Sequence, residues 1–170
     1  MIIRVLGPDD APAYVALRKA SLVEAPLAFA SSPADDRASS VPFMEASLGE
    51  ADGPMVVGAF DGERLVGASG LFREQKLKLN HMANVYGMYV SPGARGQGVG
   101  QALMEKIIAM ARGMDGLLIV RLSVSDTQLA AKRLYERLGF VQWGFEPKAL
   151  SYKARLVGEH HLSLDLYPAI

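Results

Sequence analysis

Apolar positions change their period several times along this chain. Ile2–Leu6 is β-branched and apolar, and Gly7-Pro8-Asp9-Asp10 closes it, which predicts a first strand and a turn. Tyr14, Leu17 and Leu22 fall at loosely helical spacing. They predict a helix capped by Asp9 or Asp10 and running to about Ala20. Glu24–Ser40 holds Pro26, Pro33 and several serines and reads as loop, ahead of a short helix near Pro42–Leu48. Met55–Phe60 and Arg64–Phe72 read as strands joined by a hairpin at Asp61-Gly62, and Ala83–Val90 as a third. Gln97–Arg112 carries Val99, Leu103, Ile107 and Met110 along one helical face. Leu117–Val124 is a buried strand. Ser125-Asp126-Thr127 caps a helix that Gly139 stops, with Asp126 as N-cap. Phe140–Phe145 and His160–Leu166 are the last strands. In the second, Leu162, Leu164 and Leu166 alternate with Ser163 and Asp165, so one face is buried.

The order is β-α-α-β-β-β-α-β-α-β-β. Hairpins in the first half predict antiparallel pairing, and the helix between the strands at 83–90 and 117–124 predicts one parallel crossover. The expected fold is a mixed α/β fold: a mostly antiparallel central sheet with helices on both faces. At 170 residues, with no repeat or linker, residues 1–170 read as one domain.

Composition narrows the chemistry. The chain has no cysteine, so disulfides, thiolate metal sites and a cysteine nucleophile are excluded together. Lys plus Arg and Asp plus Glu are 18 each, giving zero net charge and no basic excess for a nucleic-acid partner. No run approaches the ~20 apolar residues of a membrane span, and the first residues lack a leader pattern. A cytoplasmic protein without membrane or nucleic-acid partners is expected.

The most informative segment is Tyr89-Val90-Ser91-Pro92-Gly93-Ala94-Arg95-Gly96-Gln97-Gly98-Val99-Gly100. Its glycines permit positive φ and let a ligand reach the backbone. The first turn of a helix leaves N–H groups unpaired, and the helix dipole favours an anion there. Arg95 adds a forked donor suited to phosphate oxygens. A pyrophosphate is the expected ligand. Gly100 is followed by Gln101-Ala102 where a P-loop needs Lys and Ser or Thr. Gln101 stands where a dinucleotide fingerprint needs its third glycine.

At these residues the chain resembles the GNAT superfamily of N-acetyltransferases. Arg95-Gly96-Gln97-Gly98-Val99-Gly100 fills that family's pattern of Gln or Arg, two residues, Gly, one residue, and Gly or Ala. Gln128, Ala131, Leu134-Tyr135 and Gly139-Phe140 are similar to a second family block, with Gln128 in place of the usual asparagine. The resemblance implies acetyl-CoA as cosubstrate, with no metal, and direct transfer of its acetyl group to an amine in a ternary complex. It implies that Met88, Tyr89 and Val90 bind the pantetheine arm through backbone groups. A backbone N–H near Met88 would polarise the thioester carbonyl, a term worth ~3 kcal/mol at other oxyanion sites. It implies that Tyr135 protonates the departing thiolate and that Gln128 helps to hold the arm.

The general base is open: the strand carrying Met88 has no carboxylate, leaving His81, Glu74 and Glu45 as candidates. Glu24–Leu48, Lys76–His81 and Lys148–Glu159 are expected to build the acceptor site. The acceptor is an amine-bearing small molecule, a peptide N-terminus or a lysine. A strand edge near the C-terminus could serve a homodimer. A non-catalytic acyl-CoA sensor and an interaction module of the same fold are the alternatives.

Overall fold

A computed structural model describes residues 1–167. Seven strands form one sheet in the order β1-β2-β3-β4-β5-β7-β6. The strands are β1 (Ile2–Val5), β2 (Met55–Asp61), β3 (Arg64–Arg73), β4 (Met82–Val90), β5 (Ile119–Ser125), β6 (Val141–Tyr152) and β7 (Arg155–Asp165). The helices are α1 (Ala11–Glu24), α2 (Val41–Gly49), α3 (Val99–Arg112) and α4 (Leu129–Arg137). Every neighbouring pair of strands is antiparallel except β4 and β5, which α3 links as a parallel crossover. The mixed, mostly antiparallel sheet expected from the hydrophobic pattern is the one observed.

Both faces of the sheet are covered. Leu103, Met104, Ile107 and Ala111 of α3 pack against Val57, Leu71, Val120 and Leu162, all fully buried. On the opposite face Tyr14, Val15 and Leu17 of α1 and Met44 of α2 meet Val56, Phe60, Leu65 and Tyr89. No described helix is long and apolar enough to cross a membrane.

Local details differ from the sequence reading. Helix α1 runs a turn further, to Glu24. Asp10 occupies its N-cap position, but the carboxylate accepts from Gly7 N at 2.8 Å and pairs with Arg4 at 2.7 Å. Asp126 does not cap α4, whose N-cap position falls to Gln128. Asp126 instead ties the end of β5 to β7, exchanging bonds with the Gly158 backbone at 2.9 and 3.1 Å. The largest departure is at 148–159, expected as acceptor loop. Strands β6 and β7 extend through it as a hairpin closing at Tyr152–Arg155. Lys153 and Ala154 make that turn with φ of 46° and 61°, a conformation normally signalled by Asn-Gly. A register break between Glu146 and Leu150 scrambles the alternation around Pro147.

Candidate active site

The glycine segment forms a turn that only its composition permits. Gly96 and Gly98 have φ of 73° and 78°, so α3 starts at Val99 rather than at Gln97. No atom lies within 4 Å of where a Cβ would stand at Gly93, Gly96 or Gly98, so this face of the turn is open. Gln97 braces the turn from within, its amide donating to Gly93 O at 3.0 Å. The first helical bond runs from Ala102 N to Gly98 O at 3.0 Å. The N–H groups of Val99, Gly100 and Gln101 therefore precede any helical acceptor. The side chain of Val99 is buried in the core, which leaves only its backbone for a ligand. A Cβ on Gly100 would stand 3.2 Å from Leu134 Cδ2, so this glycine lets α3 and α4 approach. These features fit a pyrophosphate: open positive-φ glycines, a row of first-turn donors and the positive end of a helix.

Arg95 is engaged within the protein. Its Nε donates to Val90 O at 2.9 Å, and its two terminal nitrogens clasp Glu24 at 3.1 and 2.6 Å. The guanidinium lies 5.6 Å from the centre of the Tyr89 ring. Hydrogen bonding from Arg95 holds the Glu24 carboxyl below the usual carboxylate range. Arg95 stands at the lip of a groove lined by Glu24–Phe29, Met88–Val90 and the Gln128, Ala131 and Leu134 side of α4.

That groove leads into a gap in the sheet. Strands β4 and β5 pair only at Met82–Asn84 with Ile119–Arg121. Further along, Val85, Tyr86, Gly87 and Met88 face Leu122, Ser123 and Val124 across an opening that Gln128, Ala131 and Tyr135 also line. A bulge starts the separation: Gly87 has φ of 61°, and the β3–β4 register skips between Ala68 and Gly70. The buried Ser69 hydroxyl donates to Tyr86 O at 3.3 Å within this bulge. Tyr135 is buried, with its ring 6.0 Å from Phe140 in an edge-on contact. Burial alone pushes the pKa of its hydroxyl up, so the phenol keeps its proton. Gln128 lines both groove and gap, its amide 3.4 Å from Thr127 Oγ1.

Beyond the gap, on the face covered by α1, opens a cavity of about 630 Å³. Its walls include Arg18, Phe29, Asn84, Tyr86, Arg121, Trp143, Glu159 and His161. Phe29 lines the groove, the gap and this chamber, so the three spaces adjoin. Tyr86 lies flat over the neighbouring strand, where a Cβ on Gly70 would stand 2.1 Å from its ring. Arg18 pairs with the buried Asp36 at 2.8 Å, and Arg121 with Glu74 at 2.9 Å. His161 Nδ1 is 2.8 Å from Ser123 Oγ, and the Trp143 ring stacks on the imidazole at 5.3 Å. Burial, with the charge of Glu146, pushes the Glu159 carboxyl up despite the opposing effect of His161.

The chamber's titratable residues are not those singled out from the sequence. Glu74 is tied to Arg121 and Asn84, Glu45 lies exposed on α2, and His81 gives its carbonyl to Leu118 and Ile119. None of the three lines the chamber. Glu159 and His161 do: Glu159 ends the 148–159 stretch expected to build the acceptor site, and His161 lies within the strand read at 160–166. Extending that strand back by one residue puts both on the face opposite Leu162 and Leu164.

The sheet is mixed and split between β4 and β5, and a glycine turn opens a helix beside the split. The family model for the Acetyltransferase (GNAT) family matches residues 18–140, and the chain belongs to that family. A mycothiol acetyltransferase of Salinispora tropica is 44% identical over 62 residues, 36% of this chain and 20% of that protein. This match therefore spans about a fifth of the length of the relative. Two solved structures share the fold. The yncA protein of Salmonella typhimurium, solved with its cofactor acetyl-CoA, has a TM-score of 0.85 at 19% identity, covering 100% of this chain and 96% of its own. A phosphinothricin acetyltransferase of Sinorhizobium meliloti, in complex with acetyl-CoA, has a TM-score of 0.83 at 16% identity, covering 96% and 87%.

Proposed function

We propose that this protein transfers the acetyl group of acetyl-CoA to a primary amine by direct attack in a ternary complex. The observation that carries the proposal is the continuity of groove, gap and chamber through the sheet, with Tyr135 at the gap and the glycine turn at its entrance. Acetyl-CoA supplies the activated thioester. The first-turn N–H groups of Val99 and Gly100, with those of Gly96, Gln97 and the N-cap Gly98 before them, hold its pyrophosphate. Arg95 exchanges part of its pairing with Glu24 for a phosphate oxygen. Backbone groups of Met88, Tyr89 and Val90 lie on the stretch of β4 that β5 leaves unpaired, where an extended pantetheine arm adds as a further strand. Gln128 steadies that arm from α4.

The bulge at Gly87 turns a backbone N–H near Met88 toward the carbonyl oxygen that gains charge during transfer. Tyr135 keeps its proton through the working pH range and delivers it to the departing thiolate. The amine arrives from the chamber and loses its proton on that side of the sheet. Without a cysteine to carry an acetyl group, a one-step transfer is the simplest route.

The test starts with thermal stability in the presence of acetyl-CoA, ATP or NAD. Ligand at ~100 times its dissociation constant stabilises a fold by ~2.7 kcal/mol. A rise with acetyl-CoA alone is expected, followed by free-thiol release with an amine, read without thiol background from the protein. No rise at millimolar acetyl-CoA means that the glycine turn is structural and the transferase reading is wrong.

A further inference from the structure

We infer that the acceptor chamber selects an amine carrying a second nitrogen that is protonated at neutral pH, a linear diamine, whose far ammonium sits between Glu159 and Glu146. The inference rests on the acetyl-transfer reading and deepens it. It follows from the charge balance of the chamber walls and of Glu146, which does not itself line the cavity but stands beside the wall residues Glu159 and His161. Arg18 and Arg121 each carry their own carboxylate, Asp36 at 2.8 Å and Glu74 at 2.9 Å, and neither Asp36 nor Glu74 faces the cavity. The two positive groups of the wall are therefore neutralised from behind. Glu159 is different. Among the described residues no Lys or Arg forms an ion pair with it; the groups acting on its carboxyl are Glu146 and the His161 imidazole, which itself lies 3.4 Å from Glu146. One ligand atom from each of Glu146, Glu159 and His161 lies within 4.8 Å of the others. Two carboxylates held this close repel one another, and burial of Glu159 adds to the cost. An ammonium placed between them relieves both terms.

The surroundings suit an ammonium on an alkyl chain. Trp143 stacks on His161, and Phe29 and Tyr86 wall the path back to the gap, so an alkyl spacer meets aromatic surface while both ends meet polar groups. A carboxylate at the far end of the acceptor would find both arginines already paired and would face Glu159. An uncharged end would leave the two carboxylates with only the shared His161 imidazole, 3.4 Å from Glu146, to offset their mutual repulsion.

The experiment compares the intact protein's kcat/KM for α,ω-diamines of three to six carbons with the n-alkylamine and the ω-amino acid of the same length. Thiol release reads the rate, and calorimetric titration with the best diamine reads binding without turnover. The matched diamine is expected to exceed its alkylamine by about tenfold, the effect of one charge-assisted contact, and to exceed the amino acid further. Glu146→Gln, at an exposed position, and Glu159→Gln should each collapse the diamine-to-alkylamine ratio toward one, through KM. The proposal is overturned if the alkylamine or the amino acid equals the diamine, or if the ratio survives both substitutions. It is also overturned if a chelator removes the diamine's advantage, since the carboxylates would then be holding a divalent cation. Stabilisation by acetyl-CoA with alkylamine turnover equal to that of the diamine sinks this inference alone. Absence of both acetyl-CoA binding and thiol release sinks the transferase reading and this one with it.

Discussion

Arg95 and Glu24, 71 residues apart, meet through a forked contact of 3.1 and 2.6 Å at the lip of the groove between β4 and α4. The contact holds the guanidinium beside Val90 and puts a carboxylate next to the proposed pyrophosphate site. Glu24→Gln should therefore tighten acetyl-CoA by about threefold at low salt, with the gain shrinking as salt screens it. Arg95→Ala should weaken it by about tenfold. Titration calorimetry at two ionic strengths checks both, and an E24Q variant that binds more weakly would show that the pair serves only to hold Arg95 in place.

Gly98→Ala is expected to cost about 1 kcal/mol of stability, because a side chain at φ of 78° is strained. It should lose acetyl-CoA affinity as well, since the new methyl enters the open face of the turn. Gly62→Ala provides the comparison, with φ of 60° in the β2–β3 turn and equally open space around it. It should lose similar stability with affinity unchanged. Urea unfolding and ligand titration of the two variants separate strain from site.

Tyr135→Phe removes one hydroxyl from the gap and leaves the ring's contact with Phe140 in place. A drop in kcat of about a hundredfold is expected, with acetyl-CoA binding retained. Equal turnover by the variant would end the acid role of Tyr135. A protein that binds acetyl-CoA but turns over no amine in either form would be an acyl-CoA sensor.

Asp36 anchors the chamber wall through Arg18. Burial alone would raise its pKa, but hydrogen bonds from Arg18 and Ser39, the charge of Arg18 and the Ser31 hydroxyl outweigh it and hold the carboxyl below its usual range. A carboxyl depressed in the folded state stabilises above its unfolded pKa of ~3.9, and the benefit is lost as pH falls through the folded value. Asp36→Ala strands a buried guanidinium and should cost about 3 kcal/mol near pH ~7, less in acid. Denaturant midpoints across the acid range test this, and a cost independent of pH would remove the ion pair from the account.

Glu159 has the opposite sign. Its carboxyl is raised in the folded state, so its contribution is fully present below the unfolded pKa of ~4.3 and is lost as pH rises through the folded value. Glu159→Gln should accordingly raise Tm near pH ~7 and have little effect near pH ~4. A variant less stable at neutral pH would mean that this carboxylate is already compensated.

The hydrophobic periods and the glycine turn were legible in the sequence because each rests on local chemistry. Alternation marks a half-buried strand, a 3.6-residue stripe marks a helix such as α3, and a run containing Gly96, Gly98 and Gly100 permits a turn that side chains would strain. From these followed the element order, the mixed sheet and the resemblance that named Arg95 through Gly100, Gln128 and Tyr135. Tertiary structure decided the rest. Arg18 of α1, Arg121 of β5 and Glu159 and His161 of β7 share one chamber only because β7 inserts between β5 and β6 and α1 covers that face. Glu24 could not be matched to Arg95, nor Asp36 to Arg18, because ion pairs across long loops leave no periodic trace. The same holds for the Lys153-Ala154 turn, where pairing between two long strands imposes a backbone conformation that neither residue prefers.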